Sequence, residues 1–451
     1  MNMRILLAAL LLAGSAATDD KPNFVFILID DLGVTDLGCT GSTFYETPNI
    51  DRLAARGMKF TNAYSACTVC SPTRASLLTG KYPARLHLTD WIPGHAKPKA
   101  KLKIPDWTQA LPLEEHTLPR ALKAAGYVCG SFGKWHLGGE DHSPEKAGFD
   151  LNVGGTHQGS PPSYFSPYKN RALADGEKGE YLTDRLTIEA VRFMKENRDK
   201  PFFVYLPHYA VHNPIQGKPE LVEKYKAKAK PDQAHRNPVY AAVIEGVDQS
   251  VGRIMAALDE LKLAEKTVVV FTSDNGGLMQ NTSNAPFRVG KGSAYEGGVR
   301  VPLLVSWPGT IAAGKTCGEP VVTLDWYPTL LDLAGGRRAP SQIVDGVSLV
   351  PLLREKGAIS RDAIYWHYPH YHPGGATPYG AIRQGDWRLV EFYEDNHVEL
   401  YNLKADVGEA KDLAAEMPDK ARELRRKLAD WRTSVGAQMP VPNPNYEPSK
   451  K

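Results

Sequence analysis

The stretch Asn23-Phe24-Val25-Phe26-Ile27-Leu28-Ile29-Asp30-Asp31 is apolar from Phe24 to Ile29 and then turns abruptly acidic. A strand with one wet face alternates apolar and polar residues, so an unbroken run predicts a strand covered on both faces, as in a largely parallel sheet. The pattern recurs. Phe202-Phe203-Val204-Tyr205-Leu206 stops at Pro207, and Thr267-Val268-Val269-Val270-Phe271-Thr272 stops at Ser273-Asp274-Asn275-Gly276-Gly277. Pro302-Leu303-Leu304-Val305-Ser306-Trp307 reads as a fourth strand. The segments 47–57, with Pro48 near its start, and 239–263 read as helices between them. Strands alternating with helices imply an α/β fold: a large mixed, mainly parallel sheet sandwiched by helices, with its sites at the strand ends.

Beyond about Leu353 the pattern changes. Ile382-Arg383, Trp387 to Phe392 and Val398 to Leu403 are short alternating strands joined by turns containing Gly and Asp. A basic amphipathic helix spans 418–435, and the proline-rich tail from Gln438 reads as an extended wrap. The expected division is a signal segment at 1–17, a catalytic domain at 18–355 and, at 356–451, a smaller C-terminal subdomain of antiparallel sheet plus one helix. A chain of 451 residues can bury a large core. Its net charge of +3 gives no sign of a nucleic-acid partner. No segment after the N-terminus approaches the roughly 18 apolar residues of a membrane span. Arg4, the apolar run Ile5 to Ala13 and Ser15-Ala16-Ala17 read as a secretory signal cleaved near Ala17, which puts the mature protein in the periplasm or outside the cell. A short buried helix is the alternative reading. The five cysteines, Cys39, Cys67, Cys70, Cys129 and Cys317, are too few and too odd to form a disulfide framework.

The run Cys70-Ser71-Pro72-Thr73-Arg74 has proline at +2 and arginine at +4 from its cysteine, and Leu77-Leu78-Thr79-Gly80-Lys81 follows. Cys67 lacks this context, since Val69 and Ser71 occupy its +2 and +4 positions. A cysteine beside a turn is often only a buried small apolar residue. Asp30-Asp31 and Asp274-Asn275 put four hard oxygen donors at two strand ends, which suits calcium and, less readily, magnesium. The same residues also serve as turn-forming caps. In Gly133-Lys134-Trp135-His136-Leu137-Gly138 the lysine and histidine are two apart, on one side of an extended stretch. Two further blocks are Ala210-Val211-His212-Asn213-Pro214 and the segment from Gly290 to Pro302, which contains Lys291, Glu296 and Arg300. Taken singly, such lysines and histidines read equally well as solvated or hydrogen-bonded residues. His208 and His212 are four apart, but the segment lacks the glutamate of a His-Glu-x-x-His zinc helix and is bounded by Pro207 and Pro214.

In this order, the motifs resemble those of the type I, formylglycine-dependent sulfatases of the alkaline-phosphatase-like superfamily, from about Lys21 to the mid-400s. The resemblance implies that a maturation enzyme oxidises Cys70 to formylglycine. It implies that Asp30, Asp31, Asp274, Asn275 and the converted Cys70 hold calcium, and that Arg74 supports the nucleophile. Lys134 and Lys291 would bind the sulfate, His136 would assist the hydrated aldehyde, and His212 would face the ester oxygen. The expected substrate is a sulfated sugar at a chain end, with galactose or N-acetylgalactosamine sulfate the first guess. Trp91 and the aromatic, histidine-rich segment Tyr365 to His372, with His367 and His370, suit sugar stacking and hydroxyl binding. The same aromatics also suit packing between two domains. Two rivals stay open: a phosphodiester or phosphonate-monoester hydrolase of the same superfamily, and a non-catalytic sulfated-glycan binder with unconverted Cys70. Lys97, Lys99, Lys101 and Lys103 alternate in a Pro-flanked loop, either as solvated surface or as the lining of a cleft for an anionic substrate.

Overall fold

The computed structural model describes residues 21–448; the secretory-signal reading, with Arg4 and cleavage near Ala17, lies outside them. Asn23–Ile29 (β1) is at the centre of an eight-stranded sheet. The other strands are Met58–Phe60 (β2), Val128–Phe132 (β3), Leu151–Val153 (β4), Phe202–Pro207 (β5), Thr267–Ser273 (β6), Leu303–Ser306 (β7) and Lys315–Cys317 (β8). Their order across the sheet is β8-β2-β7-β6-β1-β5-β3-β4. Strand β7 runs antiparallel to both β6 and β2, and every other pairing in this sheet is parallel.

The unbroken apolar run of β1 has a direct cause. Val25, Ile27 and Ile29 face a core shared with helices Pro48–Ala55 (α1), Leu182–Glu196 (α3) and Pro238–Glu260 (α4). Phe24, Phe26 and Leu28 face the opposite core, shared with Cys70–Thr79 (α2) and Trp326–Leu333 (α5). Both faces are dry, and each buried strand side chain contributes roughly 1.5–3 kcal/mol of hydrophobic stabilisation. Helix α4 starts where Asn237 accepts the Val239 and Tyr240 backbone N–H groups, with proline in its first turn.

The C-terminal strands Ile364–Tyr368 (β9), Tyr379–Gln384 (β10), Trp387–Phe392 (β11) and Val398–Asn402 (β12) form an antiparallel sheet, packed against Pro418–Ser434 (α6). The tail wraps back as expected, Val441–Pro442 pairing antiparallel with Leu102–Lys103. No helix among the described residues is long and apolar enough to cross a membrane.

A buried ionic knot ties this sheet to the segment carrying Lys291. Arg388, fully buried on β11, approaches Glu296 at 3.1 Å and Glu409 at 3.2 Å and donates to the Ala294 carbonyl. Glu409 in turn accepts the Glu296 backbone N–H at 2.7 Å. Burial, only partly offset by Arg388, pushes the Glu409 carboxyl up to about 8. Arg388→Met should therefore leave the buried Glu409 carboxyl without its cation, while Glu296 keeps Arg300 at 2.8 Å, and cost about 3–5 kcal/mol. A markedly lower thermal midpoint is expected, and an unchanged one would contradict the account.

Candidate functional site

Strands β1, β5 and β6 end side by side, and the loops leaving their carboxyl ends build the site, where parallel sheets generally place one. Asp30 continues the sheet by donating to the Ala210 carbonyl at 2.9 Å, and Asp274 by donating to that of Ile29 at 3.0 Å. Asp31 then turns into the left-handed region at φ 66°, which swings its carboxylate back toward Asn275. Strand β3 delivers Lys134 through Gly133, at φ 129°, where a Cβ would lie 2.0 Å from the Pro207 carbonyl oxygen. Only glycine fits that approach.

Cys70 is the first residue of α2, whose peptide dipoles raise the positive potential at that end. An oxygen each of Asp30 and Asp274 and the Cys70 Sγ all lie within 4.8 Å of one another. Around them three carboxylates meet three cations. Lys134 donates to Asp30 at 2.6 Å, Lys291 pairs with Asp31 at 2.7 Å, and Arg74 pairs with Asp274 at 2.7 Å. Arg74 also donates to the Lys134 carbonyl, bracing that loop.

Two buried oxygens in this cluster, Asp30 Oδ1 and Asn275 Oδ1, have no hydrogen-bond partner among the described residues. Such orphans cost free energy unless a ligand satisfies them. Together with Asp31 and Asp274 they form an all-oxygen donor set that fits a hard divalent cation. Burial drives the Asp30 carboxyl up to about 8, against the pull of Lys134. Burial also acts on Asp31, but Lys291 and then His212 outweigh it and hold that carboxyl below the usual range. The Cys70 thiol is pushed up by burial, despite Lys134 and Lys291.

The two histidines are pinned in opposite senses. His136 Nε2 lies 2.5 Å from the Ile92 carbonyl, so that nitrogen carries the proton and Nδ1 is left unpartnered. His212 Nδ1 lies 2.6 Å from the Asn213 carbonyl, and its Nε2 faces Asp31 at 3.7 Å. Burial, reinforced by Lys134, drives His136 well below the ordinary imidazole value. Burial and then Lys291 take His212 down to about 3. Ser71 links the pieces, donating to the His136 carbonyl and accepting the Ile92 N–H.

A cavity of about 350 Å³ opens over this cluster, with Asp31, Cys70, His136, His212 and Lys291 in its lining and Trp91 on its wall. His367 and His370 do not reach it. Strand β9 is covered on both faces: Tyr365 stacks on Trp431 of α6, while the indole N–H of Trp366 donates to the Ser65 carbonyl. His367 therefore bonds Tyr393 and the Gln438 carbonyl, and His370 bonds Thr89 behind the cavity wall. The histidine of this segment that does line the cavity is His372. It packs where Gly292, at φ 82°, leaves room, since a Cβ there would lie 2.1 Å from His372 Nδ1. Nothing in the local spacing separates His372 from His370, because the chain has left the strand by then.

The family model described as Sulfatase matches residues 22–336, and one described as N-sulphoglucosamine sulphohydrolase, C-terminal, matches residues 289–434. A protein named Sulfatase from Formosa agariphila is 36% identical, over 94% of this chain and 92% of the relative. Human N-acetylgalactosamine-6-sulfatase is 35% identical, over 78% of this chain and 70% of the relative. The crystal structure of Ps i-CgsB in complex with k-i-k-neocarrahexaose matches with a TM-score of 0.79 at 31% identity, covering 94% of both chains.

Proposed function

This chain belongs to the sulfatase family and is a sulfuric ester hydrolase, and we propose that it removes sulfate from the ends of sulfated carbohydrate chains, using formylglycine formed from Cys70. The observation that carries this reading is Cys70 at the base of a cavity of about 350 Å³, ringed by Lys291, His136, His212 and Asp31. A space of that size lies at the small end of ligand sites and suits one sugar ring. The N-acetylgalactosamine-6-sulfatase relative and the neighbour solved with neocarrahexaose support a galactose-type sugar.

Once oxidised and hydrated, the Cys70 side chain presents two hydroxyls on one carbon. One attacks the sulfate sulfur and passes its proton to a carboxylate of the Asp30–Asp274 pair. The bond from sulfur to the sugar oxygen breaks, and the alcohol departs with a proton from His212. His212 must first be protonated, and the negative charge of the arriving ester beside Asp31 favours this. Lys134, Lys291 and Arg74 balance the charge that develops. His136, with Nε2–H held by Ile92 and Nδ1 free, takes the proton of the second hydroxyl. The electrons freed form the carbonyl, the carbon–oxygen bond to sulfate breaks, and water rehydrates the aldehyde. A divalent cation, calcium before magnesium, would be held by Asp30, Asp31, Asp274 and Asn275 and supplies positive charge that polarises the sulfate. We place this reaction outside the cytoplasm, where N-terminal sequencing of the mature protein should begin near Thr18.

The test compares an aryl sulfate, an aryl phosphodiester and a panel of sulfated mono- and oligosaccharides. Sulfate esters should be preferred, with release from terminal sugars. Faster phosphodiester cleavage would favour the rival hydrolase, and activity on aryl sulfate with none on any sugar sulfate would defeat the carbohydrate reading. His212→Ala should slow sugar-sulfate hydrolysis by about 10²–10⁴-fold, but an aryl sulfate with an acidic phenol far less, since that leaving group needs no proton. Equal losses in kcat/KM on both would remove His212 from the acid role.

A further inference from the structure

Beside the catalytic cavity is a second one of about 270 Å³, lined by Lys97, Lys103, Ile104, Asn443 and Asn445 among others. One short stretch of chain contributes to both. Trp91, Ile92 and Pro93 line the first, Ala96 and Lys97 line the second, and three residues span at most about 10 Å. On the other side His372 lines the first cavity, and Lys97 stands over the ring of the adjacent Tyr371 at 4.8 Å.

The lysine loop is held in place rather than left as a free tether. Val441–Pro442 pairs with Leu102–Lys103, Asn443 Nδ2 donates to the Pro98 and Ala100 carbonyls, and the Tyr371 hydroxyl accepts the Leu102 N–H. The alternating lysines divide by partner. Lys99 pairs with Glu447 at 2.7 Å, whereas Lys101 forms no ion pair among the described residues. Lys103 has no ion-pair partner among the described residues, and Lys97 has only the Tyr371 ring. Of the three lysines in this loop without an ion pair, Lys97 and Lys103 line the second cavity.

We propose that this second cavity is a subsite for the next sulfated sugar of the chain, with Lys97 and Lys103 taking its sulfate. The inference rests on the carbohydrate reading above and adds that the preferred substrate carries sulfate on an inner sugar as well as at its end. An uncharged oligosaccharide would leave both lysines uncompensated. A single sulfated sugar would fill only the catalytic cavity.

The experiment uses full-length enzyme carrying Cys70→Ala, which binds without turning over, with and without Lys97→Ala/Lys103→Ala. Calorimetry measures Kd for a galactan hexasaccharide sulfated along its length and for one sulfated monosaccharide. The double change should weaken the hexasaccharide about fivefold to tenfold at low salt, shift the monosaccharide less than twofold, and lose its effect as salt is raised. An unchanged hexasaccharide Kd, or equal weakening of both ligands, overturns the subsite. If neither ligand binds while the unaltered enzyme still cleaves aryl sulfate, the carbohydrate reading fails and this inference falls with it. Thermal melting of each variant guards against a folding artefact.

Discussion

Active preparations of this enzyme should carry formylglycine at position 70, and specific activity should rise in proportion to the fraction converted. The physical reason lies in the unconverted thiol. Burial raises its pKa, so little thiolate exists at neutral pH. The side chain is also within 4.8 Å of Asp30 and Asp274 oxygens, so a thiolate there would add negative charge to an already acidic pocket. A hydrated aldehyde avoids both problems, because it brings two neutral hydroxyls to the same point. Replacing the residue outright, Cys70→Ala, should lower kcat on an aryl sulfate on the order of 10⁴-fold or more, as removal of a nucleophile does elsewhere. Mass spectrometry of the peptide containing Cys70, run beside the activity assay on the same sample, provides the check. A fully active sample with only free thiol at this position would end the proposed chemistry.

Much of the architecture was legible because burial on both faces leaves a plain mark in the chain. The runs at Phe24 to Ile29 and Val268 to Phe271 could belong only to a covered strand or a buried helix, and their length and acidic or glycine-rich endings favoured strands. The short strands β2, β4 and β8 carry no such mark: each has three residues, too few for a period to register. The candidate site was legible for a different reason. Asp30, Asp31, Asp274, Asn275, Lys134, His136 and His212 sit at or just beyond strand ends, where sequence position and spatial position coincide. The wall of the cavity obeyed no such rule. His367 is consumed by contacts with Tyr393 and Gln438, residues 26 and 71 positions away along the chain, and local spacing cannot report such partners. Trp91 did reach the cavity and His372 replaced His370 there, because a loop's course is set by what it packs against.

Asp274→Ala should abolish turnover, by on the order of 10³-fold or more, and exhaustive chelation of the unaltered enzyme should do the same reversibly. The carboxylate has two tasks. Its Oδ2 accepts from Arg74 Nη2 at 2.7 Å and from Nε at 3.1 Å, and its Oδ1 accepts the Asp31 backbone N–H at 3.2 Å. Alanine therefore leaves a fully buried guanidinium with Asp30, 3.6 Å away, as its nearest counter-charge. Breaking a buried pair in this way costs about 3–5 kcal/mol, so loss of activity alone could reflect unfolding. Asp274→Asn separates the two tasks. It keeps the side chain's size and an acceptor for Arg74, but it removes one of the three carboxylate charges available to a divalent cation. The amide variant should therefore melt closer to the unaltered protein than the alanine variant does, yet remain inactive and bind metal more weakly by elemental analysis. Should the chelated enzyme stay fully active with no metal detectable, the four oxygen donors hold only each other and the cations Lys134, Lys291 and Arg74, and the sulfate must be bound by those cations alone.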